Sequence, residues 1–406
     1  MLAAVVAAYC VIFGCTMIFG WMPTWSAVGV EPMSLPFGDL RAITGATTTI
    51  DRGLDPLTDN VGDPWGRPAN YPRVWMNTAH ALRLTPATTD GYGVVLLGCF
   101  IASLVILAPL ITSASDAIVV FLFAVTPATL LAVERGKIEF VLLALVCGVT
   151  AARRSWMRVV LLSAATLLKL FPVFALGALT LTRRGARRYG IIALAVIGAW
   201  AYHARTDLRL IQSSIPVDSR TAYGLSSLAF GISHALGGRH QASWALAVFS
   251  SAAAAVSGWW LARVTCPTDG STEPVSERRA VGLILAASIY IGTFLAASNY
   301  DYRLIFLLTA LPFLNASRNA SAAAVSWTAT VGTALIFVAM SEVPLRTALG
   351  HAGSGINDVA KIATIGTLVW GLTVVWLTRT RGGVPSAASA SRSAGGSSSA
   401  RPQVRC

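Results

Sequence analysis

The sequence predicts an all-α, polytopic membrane protein with about ten transmembrane helices, one re-entrant hairpin and a long first extracytoplasmic loop. Three observations lead there. Of 406 residues, 55% are hydrophobic and 12% charged, where an average soluble domain carries about 25% charge. The apolar residues fall in blocks of roughly 20, the length at which a helix rising 1.5 Å per residue crosses about 30 Å of hydrocarbon. The basic residues stand in short clusters beside those blocks, where they set topology and meet lipid headgroups. The formal net charge of +13 is therefore assigned to the membrane surface; membrane lipids are expected partners and nucleic acid is not. Mean hydropathy, at +0.64, agrees.

Taken in order, the expected spans are 2–20, 92–112, 116–133, 138–152, 189–204, 242–262, 281–297, 303–316, 323–341 and 359–378. The first has no basic leader and runs into Trp21, Met22 and Pro23 without a small-residue cleavage site, so it reads as a retained helix rather than a signal peptide. Residues 21–91 form the first outer loop, with Glu31, Asp39, Asp51, Asp55, Asp59, Asp63 and Asp90.

The stretch 159–182 is bracketed by Arg153, Arg154 and Arg158 before it and by Arg183, Arg184, Arg187 and Arg188 after it. Both clusters favour the cytoplasm. A single crossing would separate them, and Lys169 and Pro172 sit in the middle. A hairpin bent near Lys169-Leu-Phe-Pro172 keeps both clusters on one side. Both termini are then cytoplasmic in a multi-pass protein of the cell membrane. Residues 1–380 make one membrane domain, and 381–406, rich in Ser, Ala, Gly and Arg, a disordered basic tail. Cys10, Cys15, Cys99 and Cys147 lie in apolar blocks while Cys266 and Cys406 fall in cytoplasmic segments, so no disulfide framework is expected.

Ionisable residues beside hydrocarbon cost free energy, so their gathering on the outer face implies a use. No nucleotide is supplied there; an enzyme would take an activated substrate already in the membrane. Asp39 with Arg41 is the leading pair, a carboxylate to deprotonate an acceptor hydroxyl beside an arginine for a departing phosphate. The plainer alternative is that Asp39 caps an interfacial helix. Asp55, Asp59 and Asp63 read better as turn formers, given Asp55-Pro and Asp63-Pro. The turn Glu134-Arg135-Gly136-Lys137-Ile138-Glu139 is either a self-compensating solvated turn or part of a site. Tyr300, Tyr302 and Arg303 fit an interfacial belt, which leaves Asp301 unexplained. Lys169 at the hairpin tip could bind a lipid phosphate or snorkel. His80, His203, His234, His240 and His351 have no metal-ligand spacing.

These runs together resemble the integral-membrane (C-type) glycosyltransferases, most closely the polyprenyl-phosphate-mannose-dependent alpha-1,2-mannosyltransferases. The resemblance covers the chain to about residue 380. It rests on Gly38-Asp39-Leu40, Asn70-Tyr71-Pro72, Arg135-Gly136-Lys137-Ile138-Glu139, Leu168-Lys169-Leu170-Phe171-Pro172 and Asn299-Tyr300-Asp301-Tyr302-Arg303. The last run lacks the histidine expected in closer matches. The resemblance implies a polyprenyl-phosphate sugar donor, mannose foremost, a lipid or glycan acceptor, and inverting transfer on the outer face. Asp39 would be the base, with Arg41, Asp55, Asn70, Tyr71, Arg135, Lys137, Glu139, Lys169, Tyr300, Asp301 and Arg303 binding substrate, with or without a divalent metal ion. The competing expectations are a transporter or flippase, which calls for intramembrane ionisable residues, and a non-catalytic scaffold.

Overall fold

The computed structural model describes residues 1–406 except 215–220, 237, 267–274, 297 and 382–406; the expected basic tail, including Cys406, lies outside the described residues. Helix α1 (Leu2–Phe19) turns at Gly20, whose φ of 86° suits glycine, into α2 (Trp21–Ala27). The first loop carries α3 (Gly38–Asp51) and α4 (Arg73–Ala81) before α5 (Thr89–Leu107). Then come α6 (Ala114–Ala124), α7 (Pro127–Glu134), α8 (Glu139–Ala151), α9 (Ser155–Leu168), α10 (Val173–Thr182), α11 (Arg184–His203) and α12 (Arg205–Ser213). The second half holds α13 (Leu225–Ala235), α14 (His240–Thr265), α15 (Glu277–Ala296), a 3₁₀ helix over Asp301–Ala310, α16 (Leu311–Arg318), α17 (Ala323–Ala339), α18 (Glu342–Leu349) and α19 (His351–Arg381). Among the described residues the sheet is limited to Ala222–Tyr223 paired antiparallel with Asn299–Tyr300.

Five of these stretches are long and apolar enough to cross a membrane: α1, Pro86–Leu110 around α5, α14, α15 and most of α19. Two bent pairs, α6 with α7 at 50° and α17 with α18 at 77°, bring the number among the described residues to as many as seven. The other expected spans take different forms. Helix α8 has 13 residues, about 20 Å at 1.5 Å per residue. Helix α11 has 20 residues but opens with Arg184, Arg187 and Arg188, and 303–316 is divided between the 3₁₀ helix and α16.

The helices pack around a main core that includes Phe100, Phe140, Phe306, Phe313 and Trp370, and the first loop has a small core of its own around Leu57 and Met76. Glycine brings α14 and α19 into backbone contact: a Cβ on Gly258 would lie 2.1 Å from the Gly366 carbonyl oxygen. Such small-residue approaches are how helices associate in lipid, where apolar burial gives no net drive.

Charge collects at two ends. At one end, Arg158 and Arg183 both reach Glu277 at the start of α15, at 2.7 and 3.5 Å, and Arg279 approaches the Leu110 carbonyl. A Cβ on Gly185 would lie 2.9 Å from Ser155 Oγ, so the two arginine clusters flanking 159–182 are neighbours. Between them the chain goes out through α9, breaks at Lys169–Pro172 and returns through α10. Lys169, at the break, reaches Glu139 at the start of α8, at 2.6 Å. The expected bend is therefore present, with both ends together and the tip at the opposite, mixed-charge end.

Candidate functional site

At that opposite end, the α7–α8 turn anchors the first loop. Phe37 N–H donates to the Glu134 carbonyl at 3.1 Å, and the Asp39 and Leu40 N–H groups donate to the Arg135 carbonyl at 3.0 and 3.2 Å. The start of α3 is thus capped by another segment's backbone, satisfying donors that a helix start leaves open. Gly136 makes the approach possible. Its φ is 63°, and a Cβ there would sit 2.8 Å from that of Phe37. Buried Glu134 fixes the loop further, accepting from Met33 N–H at 2.8 Å and from Trp21 Nε1 at 3.3 Å, with Arg135 Nε 2.9 Å away.

This docking sets Asp39 over Lys137, Oδ2 to Nζ 2.5 Å, while Oδ1 meets Arg67 Nη1 at 2.9 Å. Asp63 holds Arg67 from behind: Nη2 and Nε donate to its two oxygens at 2.9 and 3.1 Å, and Trp65 and Arg67 N–H donate to Oδ2. Asp63 is therefore a turn former, as expected, and also the support for an arginine. Burial works to raise the Asp39 pKa, but the charges of Lys137, Arg135 and Arg67 outweigh it and hold the carboxyl well below the usual range. Burial likewise opposes the charge on Lys137, and Asp39 more than restores it.

Deeper, Glu139 Oε1 is met by Lys169 at 2.6 Å and Arg303 Nε at 3.8 Å, while Oε2 has no hydrogen-bond partner. Arg303 also donates to Asn299 and lies over the Phe171 ring. Aromatic rings pack against these cations: the Tyr302 and Tyr300 ring centroids are 3.8 and 5.9 Å from Lys137 Nζ, and that of Tyr71 is 4.8 Å from Lys169 Nζ. Trp75 Nε1 donates to the Leu168 carbonyl at 2.8 Å, tying the first loop to the hairpin tip. Loop, turn, tip and 3₁₀ helix thus bring together Asp39, Tyr71, Arg135, Lys137, Glu139, Lys169, Tyr300 and Arg303.

Four expected members stand elsewhere: Arg41, Asp55, Asn70 and Asp301. Arg41 does not share a site with Asp39; it pairs with Asp90 at 3.0 Å and donates to the Pro36 carbonyl. Residues two apart on a helix point to nearly opposite sides, so Arg67 and Lys137 occupy the place expected for Arg41. Asp55 forms a bidentate pair with Arg73, at 2.8 and 2.9 Å, and Arg73 also binds Asp207; this half-exposed bridge is separate. Asn70 is half-buried beside Tyr71 and, among the described residues, enters no hydrogen bond with a charged group.

Asp301 belongs to a second buried cluster. Lys361 Nζ lies 3.0 Å from Asp301 Oδ1 and 2.5 Å from Glu342 Oε2, and donates to the Ala222 carbonyl. Arg67, Lys361 and Glu342 are not singled out by sequence, and Tyr302, read there as part of an interfacial belt, packs on Lys137. Lys361 had a signal, a lone lysine inside the last apolar block. Among the described residues no group of three or more His, Cys, Asp or Glu side chains could hold a metal ion. No protein-family model matches the chain, and no curated protein or solved structure matches it.

Proposed function

We propose that this chain is an inverting, membrane-embedded glycosyltransferase that takes a sugar, mannose foremost, from a polyprenyl-phosphate donor and gives it to a lipid or glycan acceptor on the outer face. The observation that carries the reading is the half-buried carboxylate of Asp39 between Lys137 and Arg67, beside the group in which Lys169 and Arg303 face the single buried carboxylate of Glu139. Four cations against Asp39, Asp63 and Glu139 leave a surplus positive charge, which fits an entering phosphate. The apolar surroundings of the hairpin suit a polyprenyl tail.

In the proposed reaction the acceptor hydroxyl gives its proton to Asp39 as its oxygen bonds to the anomeric carbon. The bond from that carbon to the phosphate oxygen breaks on the opposite face, and the lipid phosphate leaves with the electron pair. Asp39 ion-paired to two cations is a weak base; a phosphate that draws Lys137 and Arg67 towards itself raises the carboxylate's proton affinity when donor is present.

We further propose ten crossings plus the re-entrant α9–α10 hairpin, with the arginine-rich end cytoplasmic. In support, α8 runs from Glu139 at the site to Ala151, and the carbonyl of the next residue, Ala152, accepts from Arg158 at the arginine end. At about 20 Å, α8 is some 10 Å shorter than a full crossing, and in this reading Glu139 lies in a recess below the outer surface.

The test is incubation of the purified protein with polyprenyl-phosphate mannose and candidate acceptors, with mass analysis of products. The Asp39→Asn variant should be transferred into the membrane normally and lose about 10²- to 10⁴-fold in rate. Undiminished transfer by that variant refutes the assignment. A second reading, transport or flipping of a lipid-linked substrate, is favoured by Lys361 buried against Asp301 and Glu342, because intramembrane ionisable groups mark transport paths. Movement of substrate across sealed vesicles without covalent product would select it.

A further inference from the structure

The arginine end contains a cleft of about 670 Å³ where the start of α9 meets the start of α11, lined by Arg154, Trp156, Arg184, Arg187, Arg188 and Tyr189 among others. None of these four arginines has a carboxylate partner among the described residues; Glu277 is taken by Arg158 and Arg183. Four guanidiniums facing one space repel each other, and an anion that enters relieves that repulsion. Arginine presents paired donors in a planar fork that matches a phosphate's oxygens, so four of them suit a ligand with two phosphates.

The walls decide what kind of ligand carries those phosphates. Trp156 is 44% exposed at the rim, and the faces leading away from the cleft are apolar and uncovered: Met157 and Val160 on α9, Ile191, Ile192 and Val196 on α11. A soluble phosphate would use only the charged mouth. An amphiphile uses both, headgroup on the arginines and acyl chains along the two helices. We propose that this cleft binds an anionic phospholipid carrying two phosphates, of the cardiolipin class, in the leaflet opposite the Asp39 site. Basic pockets between helices on the cytoplasmic side are the chemistry that holds such headgroups. The inference rests on the membrane assignment and is independent of the transferase reading.

The test is native mass spectrometry of the full-length protein in detergent, titrated with cardiolipin, with phosphatidylcholine, and with inorganic pyrophosphate as competitor. Because these arginines also set topology, the lipid comparison is made first on the unaltered protein. Cardiolipin should bind at least about tenfold more tightly than phosphatidylcholine, and equimolar pyrophosphate should not displace it. The R184Q/R187Q/R188Q variant should lose about a hundredfold in cardiolipin affinity, and R184K/R187K/R188K, which keeps the charge without the fork, should fall between. Equal binding of the two lipids by the unaltered protein overturns the proposal. So does displacement by pyrophosphate, which would make this a site for soluble phosphates, or cardiolipin binding unchanged in the glutamine variant.

Discussion

Two buried ion clusters meet at the segment that begins with Asp301, and their charge balances are opposite. Around Asp39 and Glu139, Lys137, Arg67, Lys169 and Arg303 outnumber the acids they touch. At the other cluster, Lys361 alone faces Asp301 and Glu342. Asp301 and Arg303 separate because a 3₁₀ helix turns about 120° per residue, so one side chain goes to α19 and the other to α8. The difference teaches which cluster is built to receive something. Surplus cation beside loops and a hairpin tip can take an anion. One cation shared by two acids from different segments is a lock, holding α19, α18 and the 3₁₀ helix together.

The comparison is broken most directly at the lock. Lys361→Met leaves the buried Glu342 carboxylate and the Asp301 carboxyl without the donor they share, and removing one partner of a buried pair costs about 3–5 kcal/mol. We expect a loss of that size in thermal or denaturant unfolding in detergent, partly recovered when Asp301→Asn and Glu342→Gln are added. Stability unchanged in the single variant would show that the cluster holds nothing together. Lys169→Met should cost less, about 1–3 kcal/mol, because Glu139 keeps Arg303 at 3.8 Å. Its larger effect should be on transfer, through weaker donor binding. Equal stability losses at Lys361 and Lys169 would erase the distinction between lock and receptor.

The two clusters should also answer pH differently. Burial, with Glu342 adding to it against the opposing Lys361, pushes Asp301 up to about 8. The folded state then keeps a proton that the unfolded chain releases above about pH 4, so this contribution falls as pH rises towards 8, by at most about 1.4 kcal/mol per unit. Asp39 lies on the other side: its depressed carboxyl contributes fully above the unfolded value and loses that only in acid. Between pH 6 and 8 the unaltered protein should therefore lose stability, and Asp301→Asn should flatten the curve. A slope that survives Asp301→Asn has another source.

How much of this was readable from residues alone follows from what each feature depends on. The hairpin was legible because two arginine clusters and a Lys-Leu-Phe-Pro break impose it through local and topological rules. The Gly136 turn and its charges were legible as a dense motif between two apolar blocks. Arg67 was not, since it reaches Asp39 across 28 residues of loop through an Asp63 turn whose register no periodicity encodes. Closeness in sequence pairs Arg41 with Asp39, but helix geometry sends it to Asp90. Short α8 and the divided 303–316 segment read as full spans because apolar composition does not reveal where a helix is interrupted by a site.

The smallest effect is expected where charge is paired in solvent. Arg73 and Asp55 are about 40% exposed as side chains and bridge to Asp207, and the hydrogen bonds from Arg73 lower the Asp55 pKa. Water screens such pairs, and exposed bridges are worth about 0–1 kcal/mol. Asp55→Asn should therefore shift unfolding by no more than that and leave transfer unchanged, in keeping with Asp55 as a turn former and against the substrate-binding role that the family resemblance implies. The measurement is the rate of mannose transfer beside that of Asp39→Asn under one set of conditions. A loss at position 55 comparable with the loss at 39 would extend the receiving region across the first loop to Arg73 and Asp207, and the anion-receiving role would no longer be confined to the cation-rich cluster.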